Sequence, residues 1–255
     1  MNALLLAVDV PPISHVTIWG SGPLGINRTV AVYIFAAVAT ILLFWLGTRK
    51  KDALVPSGIL QNTAESGIGF VRSQIIMATM GTDGLGYLPY LSALFFFIFF
   101  SNITEIIPTV QFPANARLGM PLVLSLFTWA IYMVVGIVKQ GPGHFLKNST
   151  VPSGVPWWVL PLVVPIELLQ VLIVRPFSLM VRLFANMLAG HLILVTFASL
   201  TAALWALKVT VVIAPLSFAL LVAMTGFEVL VSFLQAFIFT ILTAVYIDSS
   251  MHPAH

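Results

Sequence analysis

The stretch VTVVIAPLSFALLVAMTGFEVLVSFLQAFIFTILTAVYI, residues 209–247, decides the fold. Its 39 residues carry one charged side chain, Glu228. A helix of that length runs roughly 58 Å, against a bilayer hydrocarbon core of about 30 Å. Upright, it would project far into water while still apolar, and a steep tilt of about 45° or more removes the mismatch. The stretch before it, 157–207, is apolar almost throughout and is divided by Pro176. The part from Pro176 onward has 32 residues, or about 48 Å as a helix. Lys208 stands alone between the two pieces, which predicts a hairpin of two long, strongly tilted helices with its tip there. Lipid alone gives such helices no reason to tilt, so the hairpin implies a partner that it wraps.

The rest of the composition agrees. Of 255 residues 60% are hydrophobic and 7% charged, with a mean hydropathy of +1.07. A soluble domain carries roughly 25% charged residues, so this chain cannot cover itself with a water-facing surface. The apolar runs are continuous, unlike the alternating strands of a membrane barrel. The predicted class is therefore an all-α integral membrane protein. The net charge of +3 and pI near 9.4 do not point to nucleic acid, because Arg49-Lys50-Lys51 is the only basic run and it directly follows an apolar span. Cysteine is absent, which excludes disulfides, thiolate metal sites and cysteine nucleophiles.

Five crossings and one surface helix are expected. Residues 1–28 form an N-terminal tail; its start, Met1 to Pro12, lacks a basic region and reads as retained, not as a signal peptide. Residues 29–155 hold the first three spans, about Thr29–Gly47, Tyr87–Ile107 and Gly119–Val138. Within them 57–80 is too polar to span but places Ile59, Leu60, Ile68, Val71, Ile75 and Ile76 at partly helical spacing, as in a helix lying on the membrane surface. A loop is expected over Lys139–Pro156, where Gly141-Pro142-Gly143 and Pro152-Ser153-Gly154 act as breakers. The long hairpin takes 156–247, and 248–255 is a C-terminal tail. With the N-terminus outside, Arg49, Lys50, Lys51, Arg72, Lys139 and Lys147 lie inside, and Arg28, Arg117 and Lys208 outside. The basic bias favours that orientation, with the C-terminus inside.

An ionisable side chain inside a bilayer costs at least about 2.5 to 3.5 kcal/mol and marks a functional site by default. Glu167, Arg182, His191 and Glu228 are the candidates, with Asn186 and Gln235 as neutral companions. Antiparallel helices bring together residues whose numbers share a constant sum. Arg182 and Gln235 add to 417, His191 and Glu228 to 419, so two polar pairs face each other at two depths of one hairpin. Direct contact between His191 and Glu228 is expected. Arg182 and Asn186 share a helix face, as do Glu228 and Gln235, while His191 points away from Arg182. Arginine stays charged in practically any setting, so Arg182 is a poor proton carrier and a good barrier. Histidine and glutamate can relay protons. A fixed cation flanked by titratable groups describes two aqueous half-paths separated by a plug. Arg182 finds no acid by register, so its partner comes from another chain.

Two segments carry a resemblance. Residues 176–191, PFSLMVRLFANMLAGH, and 235–246, QAFIFTILTAVY, resemble the two signatures of subunit a of F-type ATP synthases. The likeness is strong from about Pro156 to Tyr246 and looser toward the N-terminus. It implies a stator subunit set against a ring of c subunits, held by the subunit b stalk within the whole ATP synthase. Protons would enter by one half-channel, ride the ring carboxylates and leave by the other. Arg182 matches the essential arginine facing the ring carboxylate, and Asn186 and Gln235 the polar groups beside it. His191 and Glu228 match a pair in the outer half-channel, and Glu167 an acid lining the inner one, although the segment from Glu167 to Arg182 is one residue longer than the family pattern. Glu105 resembles an acid after the second span. No catalytic site of its own, cofactor or metal is implied. The Arg182 motif has an actinobacterial flavour, so the resemblance implies a bacterial plasma membrane, with the mitochondrial inner membrane as the alternative.

Two rivals belong to other classes. An independent secondary transporter predicts internal repeats with matched broken helices, and no such duplication is seen. A membrane enzyme needs a metal or nucleophile cluster, and only one histidine lies within a span.

Overall fold

The computed structural model describes residues 17–19, 26–48, 59–107, 114–151, 156–206 and 214–252. The tail Met1–Pro12, the run Arg49-Lys50-Lys51, the breaker Pro152-Ser153-Gly154 and the tip residue Lys208 lie outside them. A short antiparallel ribbon, β1 (Thr17–Trp19) with β2 (Ile26–Asn27), pairs Thr17 with Asn27 and precedes an otherwise helical chain. Among the described residues five helical stretches are long and apolar enough to cross a membrane: Arg28–Gly47, Gly81–Ile103, Gly119–Gln140, Leu160–Trp205 and Ala214–Met251.

The helices follow in order. α1 (Arg28–Thr48) is apolar all round, as a spanning helix is. α2 (Ile59–Phe70) runs through a π turn, Val71–Ile76, and a last α turn to Thr79. A 3₁₀ segment, Gly81–Tyr87, leads into α3 (Leu88–Ile103). α4 is Gly119–Gln140, α5 Pro142–Thr150 and α6 Leu160–Leu169. A second π turn, Gln170–Val174, joins α6 to α7 (Arg175–Ala206), and α8 is Ala214–Met251.

The core lies where α8 packs against α3, α4 and α7. Leu91, Phe95 and Ile98 of α3, Leu179 and Leu183 of α7, and Ala236, Phe239 and Ala244 of α8 are all buried there. Val71, Ile75 and Ile76 close the cluster from the π turn after α2. Phe70 adds ring contacts to Phe95, Phe233 and Phe237 at 5.6–5.8 Å. The helix expected over 57–80 is therefore present from Ile59, and Ile68, Val71, Ile75 and Ile76 turn into the bundle while Ile59 is exposed.

Three expectations need correction. The loop expected over Lys139–Pro156 contains α5. Gly141, at φ +80°, closes α4 through its N–H to the Ile137 carbonyl at 2.9 Å, and Pro142 then starts a new helix. Gly-Pro here is a stop followed by a start, since glycine favours the helix end and proline the first helical position. Pro176 does not divide the 157–207 stretch either. The helix runs on through the π turn just before it, where the hydrogen-bond ladder has already shifted to i−5. The C-terminal tail begins later than expected, because α8 continues past Ile247 to Met251.

The hairpin register is now fixed by two contacts. Thr201 Oγ1 and Ser217 Oγ lie 2.8 Å apart, and Glu228 packs against Gly190. Both pairs of numbers add to 418, between the two values anticipated from the polar residues.

Candidate functional site

Three layers of polar side chains lie along the α7–α8 hairpin. The layer nearer its tip holds His191, Glu228 and Glu105. Glu228 is 4% exposed and Glu105 3%. His191 Nδ1 approaches Glu105 Oε1 at 3.3 Å. This corrects the expected His191–Glu228 pair: a register of 418 sets Glu228 opposite Gly190, one residue before the histidine. Gly190 has no side chain, and a Cβ there would fall on the Glu228 carboxylate. The histidine turns instead to Glu105, in the turn that ends α3. Burial pushes the Glu105 carboxyl above the ordinary carboxylate range, and hydrogen bonding and charge from His191 pull it back. The fold thus favours its protonated form. Its contribution to stability is greatest at low pH and declines as pH rises through the raised value.

The surroundings of Glu105 are polar and tightly held. Asn115 Nδ2 donates to Asn102 Oδ1 at 2.6 Å and to Ser101 Oγ at 2.9 Å. Tyr33 of α1 donates to Asn115 Oδ1 at 3.1 Å and to the Ala114 carbonyl at 2.7 Å. Among the described residues, the buried side-chain atoms without a hydrogen-bond partner include Ser92 Oγ and Asn102 Nδ2 of α3, Glu228 Oε2 and Ser232 Oγ of α8, and Thr29 Oγ1 of α1. Each such atom costs about 1–3 kcal/mol if left dry. Most of these atoms lie on α3 and α8, the two helices that share the core.

The middle layer holds Arg182, Asn186 and Gln235. Arg182 and Asn186 are partly buried on α7 and Gln235 is buried on α8. The close histidine–acid contacts among the described residues join His191 to Glu105 and His252 to Asp83 and Asp248, and no salt bridge among those residues involves Arg182. Ala185 and Ala189 flank it as small, exposed side chains.

The third layer lies toward α6. Arg175 sits 5.1 Å from the Tyr246 ring centroid and 6.0 Å from that of Tyr132. The two rings are 5.9 Å apart. Such stacking contributes about 0.5–1 kcal/mol in water and about 2 when desolvated. The π turn beneath it follows from the chain. Arg175 N–H bonds to the Gln170 carbonyl, and Pro176 has no N–H to give, which frees the Val171 carbonyl. Tyr132 Oη takes it at 2.6 Å and Trp129 Nε1 at 3.3 Å. The extra residue of a π turn also rotates α6 about its axis. At about 100° per residue, Glu167 would stand some 80° from Arg175 on a plain helix, and the turn cuts this to about 20°. The unusual length between Glu167 and Arg182 thus has a structural counterpart. Glu167 stays partly exposed on α6, with no ion pair.

Comparison with known proteins decides the identity of this arrangement. The ATP synthase A chain family model matches residues 30–248, which takes in all three layers. The chain belongs to that family. The ATP synthase subunit a of Frankia alni is 43% identical over 238 residues, covering 92% of this chain and 81% of the relative. That of Rhodococcus erythropolis is 40% identical over 235 residues, 91% and 85% of the two chains. That of Rhodopseudomonas palustris is 42% identical over 226 residues, 88% of each. The relatives are mostly actinobacterial, in keeping with the Arg182 motif.

Within this family member, sequence reasoning passes over two groups. Arg175 is a charge inside an apolar stretch, two turns from Arg182 and on nearly the same face, so its signal was present. Asn115 had none, because its partners Ser101 and Asn102 are joined to it only by the fold.

Proposed function

We propose that this chain is the membrane stator subunit of a rotary F-type ATP synthase in a bacterial plasma membrane, and that it supplies two offset proton half-channels separated by Arg182. The observation that carries this reading is the guanidinium of Arg182, set mid-hairpin with no acid among the described residues paired to it. A charge there needs an opposite one. The exposed Ala185 and Ala189 beside it let another helix come close. A ring of c subunits, each carrying a membrane carboxylate, would bring such acids past in turn.

The roles follow from the layers. Glu105, His191 and Glu228 relay protons on the outer side, and Glu167 serves the inner side. Arg182 attracts the ring carboxylate in its ionised form and blocks direct passage between the two. Asn186 and Gln235 line the contact. Each proton carried down 100 mV supplies about 2.3 kcal/mol. The N-terminus lies outside and the C-terminus in the cytoplasm, and the subunit b stalk anchors the chain.

The test is purification in mild detergent followed by identification of what copurifies. A ring of small hairpin proteins with a membrane carboxylate, together with soluble ATPase subunits, is the expected result. A monodisperse chain that moves ions by itself in liposomes would contradict it.

A further inference from the structure

Arg175 is a second cation in the hairpin, and the proton path just described does not use it. Its stacking on Tyr132 of α4 and Tyr246 of α8 ties three helices at one point. The same point carries the π turn, whose freed Val171 carbonyl is held by Tyr132 and Trp129, both of α4. A helix interrupted by a π turn can rotate about its axis there, because the ladder has a weak step. Here that freedom is removed from two directions. Hydrogen bonds hold the α6 side of the step, and the guanidinium stack holds the first residue of α7. Seven residues later, about 20° short of two full turns, comes Arg182.

We propose that Arg175 is a positioning residue for Arg182. Clamped between Tyr132 and Tyr246, it fixes the rotation of α7 and so the direction in which Arg182 faces. The aromatic faces accept the cation without neutralising it, which lets a second guanidinium stay in the stripe without drawing an acid away from Arg182. The inference rests on the function proposed above.

The test uses the assembled complex in inverted membrane vesicles, measuring the ratio of ATP-driven proton uptake to ATP hydrolysis and the passive proton leak. The variants are Arg175→Lys, Arg175→Gln, Tyr246→Phe and Tyr246→Leu. Arg175→Gln and Tyr246→Leu are expected to raise the leak and lower the ratio about fivefold, the shift that losing one ordinary cation–π contact gives. Tyr246→Phe keeps the ring face and is expected to keep the ratio within about twofold, and Arg175→Lys falls between. A native ratio in Arg175→Gln overturns the proposal. Equal damage from Tyr246→Phe and Tyr246→Leu does so too, since the hydroxyl and not the face would then matter. Failure of both disruptive variants to assemble would make the cluster a folding element and also overturn it. Vesicles with the native chain and with Arg182→Ala are run alongside. Coupled pumping in the first and none in the second leaves the general function standing whatever Arg175 does, whereas equal pumping in both removes that function itself.

Discussion

His191 lies 3.3 Å from Glu105 and Glu228 lies against Gly190, so the three proposed relay groups split into one contacting pair and one group apart. A double-mutant cycle separates them. Glu105→Gln with His191→Gln is expected to show a coupling of about 1 kcal/mol or more in proton conduction. His191→Gln with Glu228→Gln is expected to show less. A larger coupling for the second pair would restore the contact that the sequence suggested. The raised Glu105 carboxyl adds a pH signature. Its ionisation midpoint lies above the ordinary value of 4.5, so conduction by the native chain loses one step on the acid side when Glu105→Gln is made. An unchanged pH profile would remove Glu105 from the route. At this scale the sequence shows which residues are costly, because a charge in an apolar run stands out. It does not show who meets whom. Glu105 and Asn115 sit outside the hairpin, and only tertiary packing, of α3 on α8 and of the 114–116 segment on α7, brings them to it.

The hairpin of α7 and α8 was legible as an element, and so was its register to within one residue. Polar groups in an apolar helix cluster at matched depths, and the depth of each is counted from the tip. The refinement to a sum of 418 rests on Thr201–Ser217 and Gly190–Glu228. The chain has no cysteine, so a crosslink can test it directly. Thr201→Cys with Ser217→Cys is expected to form a disulfide under mild oxidation, since the native oxygens stand 2.8 Å apart. Thr201→Cys with Phe218→Cys is expected not to, because one step along α8 turns the side chain by about 100°. The reverse pattern would mean a shifted hairpin. Two features of the elements were not legible. α5 hides in a Gly-Pro-Gly segment that reads as a loop, although glycine followed by proline also ends one helix and begins the next. The π turn leaves no composition signal, and only the odd spacing from Glu167 to Arg182 hinted at it.

The whole molecule is a helical bundle that exposes apolar side chains on several of its spanning helices. α3 and α8 supply the shared core, while the stretch Leu160–Trp205 keeps most of its surface uncovered. Phe177, Leu192 and Ile193 are among its exposed apolar side chains, and the partly buried Arg182 lies on the same helix. Lipid can cover the apolar residues but not the cation, which is why the fold as a whole points to a partner with acids. Fold class and span count follow from composition and length, because the bilayer allows few alternatives. The partner is legible only as an unmet charge. The direct test is ATP-driven proton pumping by the assembled complex carrying Arg182→Ala. Pumping is expected to disappear while the subunits stay associated, because in the proposed mechanism Arg182 is the charge that draws protons off the partner carboxylates and separates the two half-channels. Coupled pumping near the native rate in that variant would contradict the account.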